Sequence, residues 1–70
     1  MQRYTVFEEV LYESQTGKPY RSFGIAAGEL RFSDLSLEEQ PVREFAERLN
    51  AEGLELVHLE GAVEDFLGSL

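Results

Sequence analysis

The apolar residues of this chain keep two rhythms, and the change between them falls at Asp34-Leu35-Ser36. Before that point they alternate, the period of a strand with one buried face. After it they recur at three- and four-residue intervals, the period of a helix. A chain with its strand pattern first and its helix pattern second is confined to a layer of antiparallel strands covered by helices.

Arg3 to Glu13 reads as a first strand, rich in β-branched and aromatic residues, with an alternation that slips at Glu8-Glu9 and so predicts a bulge there. Ser14-Gln15-Thr16-Gly17-Lys18-Pro19 is turn chemistry, with Gly17 free to supply a positive φ. Tyr20 to Ala27 makes a second strand, placing Arg21, Phe23, Ile25 and Ala27 on one face, and Ala27-Gly28-Glu29 turns into a third, Glu29 to Ser33.

In the second half Val42, Phe45, Ala46 and Leu49 form one helical face, and Gly53 stands where a C-cap belongs. Pro41 fits the first turn of that helix, which leaves Leu37 to Gln40 as a separate turn. Ser36 with Glu39 matches a capping box, an alternative start that carries Pro41 five residues in. Leu56, Leu59, Val63, Phe66 and Leu70, flanked by Ala62 and Leu67, make a second stripe and a second helix ending near Gly68. The predicted fold is α+β: a three-stranded antiparallel meander followed by two helices packed on one sheet face (β-β-β-α-α), with residues 1–70 forming one domain.

A chain of 70 residues buries only about 60% of the surface its unfolded form exposes. It has no Cys and one His, so neither disulfides nor a structural zinc site reinforce the small core. A dimer would help. The 43% hydrophobic content, with five Phe and three Tyr, is enough for collapse. Met1-Gln2-Arg3-Tyr4 lacks the apolar run of a leader, and no stretch approaches the ~18 apolar residues of a membrane span. The expectation is a cytoplasmic protein.

Catalytic chemistry finds little support. His58 is the only histidine, and there is no Cys nucleophile and no Gly-x-Ser-x-Gly turn. Gly17-Lys18 resembles a phosphate loop only superficially, because position 12 is Tyr and position 19 is Pro. One His with Glu60, Glu64 or Asp65 around a helix does not form the paired ligands of a metal site, so no metal or cofactor is expected. The strand aromatics Tyr4, Phe7, Tyr12, Tyr20, Phe23 and Phe32 lack the basic neighbours of a base-stacking sheet and read as core and cross-strand pairs.

Charge is the remaining signal. Residues 1–33 balance acids against bases, whereas residues 34–70 carry ten acids against only Arg43 and Arg48, giving the whole chain a net charge of -8. Such a charge argues against direct nucleic-acid or anionic-membrane contact. On the first helix Glu44–Arg48 and Arg43–Glu47 are i,i+4 pairs that balance locally. From Leu49 onward Glu52, Glu55, Glu60, Glu64 and Asp65 meet no Lys or Arg. Glu60 and Glu64 repel at i,i+4, and Glu64 and Asp65 sit toward the helix end that prefers cations.

His58-Leu59, Val63-Glu64-Asp65-Phe66-Leu67, Phe23-Gly24-Ile25, Ser33-Asp34-Leu35-Ser36 and Asn50 together resemble a family of very small bacterial proteins classed as a domain of unknown function. The resemblance spans Tyr4 to Leu67, with Gly61 standing where the family tends to carry an acid. It implies a free-standing bacterial domain and assigns no catalytic or binding residue.

The leading expectation is a non-enzymatic interaction module that docks on a basic protein surface through Glu52, Glu55, Glu60, Glu64 and Asp65. A second reading is a nucleic-acid mimic of the anti-CRISPR or anti-restriction type, whose carboxylates imitate phosphates in a row across both helices. A third is a homodimer that completes its core through a strand edge or sheet face, with the acids simply solvated.

Overall fold

The computed structural model describes residues 3–69. Strands β1 (Thr5–Tyr12), β2 (Pro19–Ala27) and β3 (Leu30–Ser36) lie in the order β1-β2-β3 as an antiparallel meander. Helix α1 (Glu39–Glu52), a short 3₁₀ turn (Leu56–His58) and helix α2 (Leu59–Gly68) follow. This is the α+β order that the two apolar rhythms predict. Leu70 of the predicted second stripe lies outside the described residues.

The predicted bulge at Glu8-Glu9 is absent. β1 and β2 pair without a break from Thr5 opposite Ala26 to Tyr12 opposite Pro19. The two acids point to opposite faces of a strand half that no helix covers, so nothing there enforces apolar alternation. The irregularity sits in β3 instead, where Ser33, Asp34 and Leu35 together stand against Gly24 between the Ile25–Phe32 and Phe23–Ser36 pairs. Asp34 takes a left-handed φ of 57°, a conformation Asp tolerates better than most side chains. The bulge turns Leu35 into the core and carries β3 three residues past its predicted end at Ser33. Gly24 is required here. A Cβ at this position would overlap the Phe32 carbonyl and stand 2.7 Å from the Phe7 ring.

The core fills the space between one sheet face and the helices. Tyr4, Phe23, Ile25, Ala27 and Leu35 meet Val42, Phe45, Ala46 and Leu49 of α1 and Leu59, Val63 and Phe66 of α2. The Phe45 and Phe66 rings stack with centroids 4.6 Å apart. α1 starts at Glu39, so Glu39 and Gln40 of the turn predicted over Leu37 to Gln40 are already helical, and Pro41 still falls in the first turn. The Ser36–Glu39 capping box does not form; the Ser36 hydroxyl accepts the Glu38 N–H at 3.1 Å. At the other end Gly53 has φ 64°; its N–H donates to the Asn50 carbonyl and the Leu54 N–H to the Leu49 carbonyl, the paired bonds of a Schellman cap. The second stripe is divided between the 3₁₀ turn and α2, and Leu67 faces outward at 47% exposure.

Tyr4 and Asn50 lock the two layers. The Asn50 side-chain amide accepts the Tyr4 N–H at 2.8 Å and donates to the Tyr4 carbonyl at 2.9 Å, while the Tyr4 hydroxyl donates to the Leu54 carbonyl at 2.6 Å. The radius of gyration is 12.5 Å, against about 11 Å for a compact chain of this length. The excess lies in the far end of the β1–β2 hairpin, where Val10 and Tyr12 are 57% and 69% exposed.

Candidate binding surfaces

The five acids predicted to form a binding face occupy three local settings. Glu52 is the last residue of α1, Glu55 precedes the 3₁₀ turn, and Glu60, Glu64 and Asp65 are on α2. All five are exposed. Among the described residues the ion pairs are Arg21–Glu8 and Arg43–Glu39, so none of the five is paired.

Helical spacing divides them further. Glu60 and Glu64 fall on one flank of the buried Leu59-Val63-Phe66 stripe, and Asp65 falls on the other. Glu64 and Asp65 nevertheless both line a groove between the helices, with Glu52, Arg48, His58 and Gly61. The expectation that no base stands near these acids is therefore corrected: Arg48 reaches their groove from α1. Its guanidinium lies 5.7 Å from the Phe45 ring centroid rather than in an ion pair. Glu60 sits in the first turn of α2, where the helix dipole favours an anion. Glu64 and Asp65 have no such local reason to be acidic.

The first helix also balances its charge differently from the prediction. Arg43 pairs with Glu39, and Gln40 Nε2 donates to Glu44 at 2.9 Å, in place of Arg43–Glu47 and Glu44–Arg48. The Glu39 bond and charge hold the Arg43 guanidinium above its ordinary pKa, with Glu47 adding to the effect.

His58 is an exposed N-cap residue of α2. Among the described residues no three His, Cys, Asp or Glu side chains converge as metal ligands would. Gly17, with φ 69°, closes the hairpin by donating its N–H to the Glu13 carbonyl. Tyr4 and Phe23 are core residues, and the Arg31 guanidinium lies 4.2 Å from the Phe7 ring centroid on the uncovered sheet face.

Comparison of the chain with protein-family models, curated proteins and solved structures gives no match. The surfaces must be read from their own chemistry. No helix among the described residues is long and apolar enough to cross a membrane.

Sequence reasoning missed a polar cluster on the uncovered sheet face. Asp34 accepts from the Ser22 hydroxyl at 2.7 Å and the Tyr20 hydroxyl at 3.3 Å, while its own N–H donates to Glu9 at 3.1 Å. Ser22 is fully buried beneath the β3 bulge. Burial, followed by the charge and hydrogen bond of Asp34, raises the Tyr20 pKa, with Glu9 and Glu13 contributing. Tyr20 and Ser22 share a face with Glu9 in a strand reading, but Asp34 joins them only through a left-handed bulge that no residue pattern announces.

Proposed function

We propose that this chain is a non-enzymatic, cytoplasmic binding module that offers the acidic surface of α2 and its approach to a basic protein surface. The observation that carries this reading is the exposure of Glu52, Glu55, Glu60, Glu64 and Asp65 without an ion pair among the described residues. Exposed acids without partners have no intramolecular attraction to give up on docking, and their field raises the encounter rate with a cationic surface. Glu64 and Asp65 carry the most weight, because the α2 dipole opposes their charge.

The test is capture of host proteins on the immobilised chain at low and high salt, repeated with the variant Glu60→Lys/Glu64→Lys/Asp65→Lys. Specific basic proteins should be retained at low salt, released at high salt and lost with the variant, whose circular dichroism should match the parent. Equal capture by both chains would discard the reading. Release by added DNA would identify the captured surface as a nucleic-acid site and turn the module into a mimic.

A further inference from the structure

β1 is an edge strand of eight residues. The Glu13 N–H donates to the Lys18 carbonyl at 2.9 Å at the base of the hairpin, and hydrogen-bonded pairs alternate along an antiparallel ladder. Thr5, Phe7, Glu9 and Leu11 therefore turn their main-chain groups toward β2, and Val6, Glu8, Val10 and Tyr12 turn theirs away from the sheet. Tyr4 has the same outward parity, and its N–H and carbonyl are the pair that the Asn50 amide engages. Asn50 thus does for Tyr4 what a neighbouring strand would do. Beyond Tyr4, no side chain among the described residues bonds the outward main-chain groups of β1.

Edges of this kind are usually blunted by a bulge, a Pro or charged side chains, Lys most often. β3 is blunted by its bulge at Asp34. β1 has neither bulge nor Pro nor Lys, and its only charges are the acids Glu8 and Glu9, one on each face, followed by the exposed Val10 and Tyr12. Glu8 is only loosely held by Arg21 at 3.8 Å, both side chains being well exposed. Glu9 commits one carboxylate oxygen to the Asp34 N–H. A two-fold pairing of β1 with a second copy, centred on the strand, brings Glu8 to Glu8 or Glu9 to Glu9 across the ladder, on chains that each carry -8. The edge repels its own kind and is complementary to a cationic segment.

We propose that the β1 edge from Val6 to Tyr12 accepts an added strand from a basic partner, an extended segment with Lys or Arg opposite Glu8 and Glu9 and apolar residues opposite Val10 and Tyr12. Main-chain bonds to the four outward residues supply affinity, and the charge and apolar positions supply register. This surface is separate from the acidic face of α2.

The probe is the peptide Val-Thr-Val-Lys-Arg-Thr-Ile, written to run antiparallel to β1, with Val-Thr-Val-Glu-Asp-Thr-Ile as its control. At a peptide concentration about ten times Kd, exchange at the outward amides of Val6, Glu8, Val10 and Tyr12 should slow about tenfold, with no effect of the control. Val10→Pro removes an outward N–H at a position where an edge strand tolerates Pro, and should abolish binding. Should that variant fail to fold, Glu8→Lys/Glu9→Lys should reverse the preference toward the control peptide. Glu60→Lys/Glu64→Lys/Asp65→Lys should bind the probe as the parent does. Loss of binding in that variant would place the peptide on α2 and overturn the edge proposal while favouring the acidic-helix reading. Unchanged binding by Val10→Pro, or protection of the same amides by raising protein concentration alone, would also overturn it.

Discussion

Tyr4 and Asn50 concentrate more stabilising geometry than any other pair of side chains described. Asn50→Ala leaves the Tyr4 N–H and carbonyl without their partners, at an expected cost of about 1–3 kcal/mol. Tyr4→Phe strips the donor from the Leu54 carbonyl, at about 1–2 kcal/mol. Urea unfolding should show both as lower midpoints with an unchanged slope; an unchanged midpoint for Asn50→Ala would remove the clamp from the account. Burial raises the Tyr4 pKa above its ordinary 10.0. The stability gained from the neutral phenol is therefore complete below pH 10 and is lost as pH rises through the higher folded-state value. Alkaline unfolding followed by circular dichroism should begin at higher pH in Tyr4→Phe, and an earlier onset would contradict the assignment. None of this was visible from the pattern. Asn50 reads as an exposed residue near a helix end, and only the meeting of α1 with the strand start reveals its partner.

At the scale of elements, glycines test how far the helix ends were legible. Gly53 at φ 64° and Gly61 in α2 both leave open space for a Cβ, so their substitutions report backbone preference alone. Gly53→Ala should destabilise by about 1–2 kcal/mol, the cost of a left-handed alanine. Gly61→Ala should stabilise by about 0.5–1 kcal/mol through helix propensity. Thermal midpoints moving in opposite directions would confirm both caps and spans, and two shifts of the same sign would refute the assignment. The Gly53 cap was readable because an apolar stripe stopped in front of a glycine. The β3 bulge was not, because Asp34 adopts a glycine-like φ with no glycine to announce it. The slip at Glu8-Glu9 misled for a related reason: alternation records burial, and that part of β1 is uncovered on both faces. Residues of the acidic face were all identifiable, whereas the groove that gathers Glu52, Glu64 and Asp65, and the approach of Arg48 to it, depend on how α2 sits beside α1.

Across the whole molecule, a net charge of -8 on 70 residues is a cost to the compact state. The two ion pairs described are exposed and contribute little in return. Sodium chloride should therefore raise the thermal midpoint, most steeply at low ionic strength, and level off once the screening length is below ~10 Å. A midpoint that drops with salt would mean that attraction between charges outweighs repulsion. The variant Glu60→Lys/Glu64→Lys/Asp65→Lys should show a shallower salt dependence together with a higher midpoint at low salt.

The Asn50 clamp also bears on the order of events in folding. It joins positions 46 residues apart in a chain of 70, so it closes a long loop, at an entropic cost that the surrounding contacts must offset. The clamp is therefore expected to form late, once the meander and the helices that it fastens are in place. Its loss is expected to hasten unfolding while leaving the folding rate almost untouched. A single asparagine would then govern how long the native state lasts rather than how quickly it is reached.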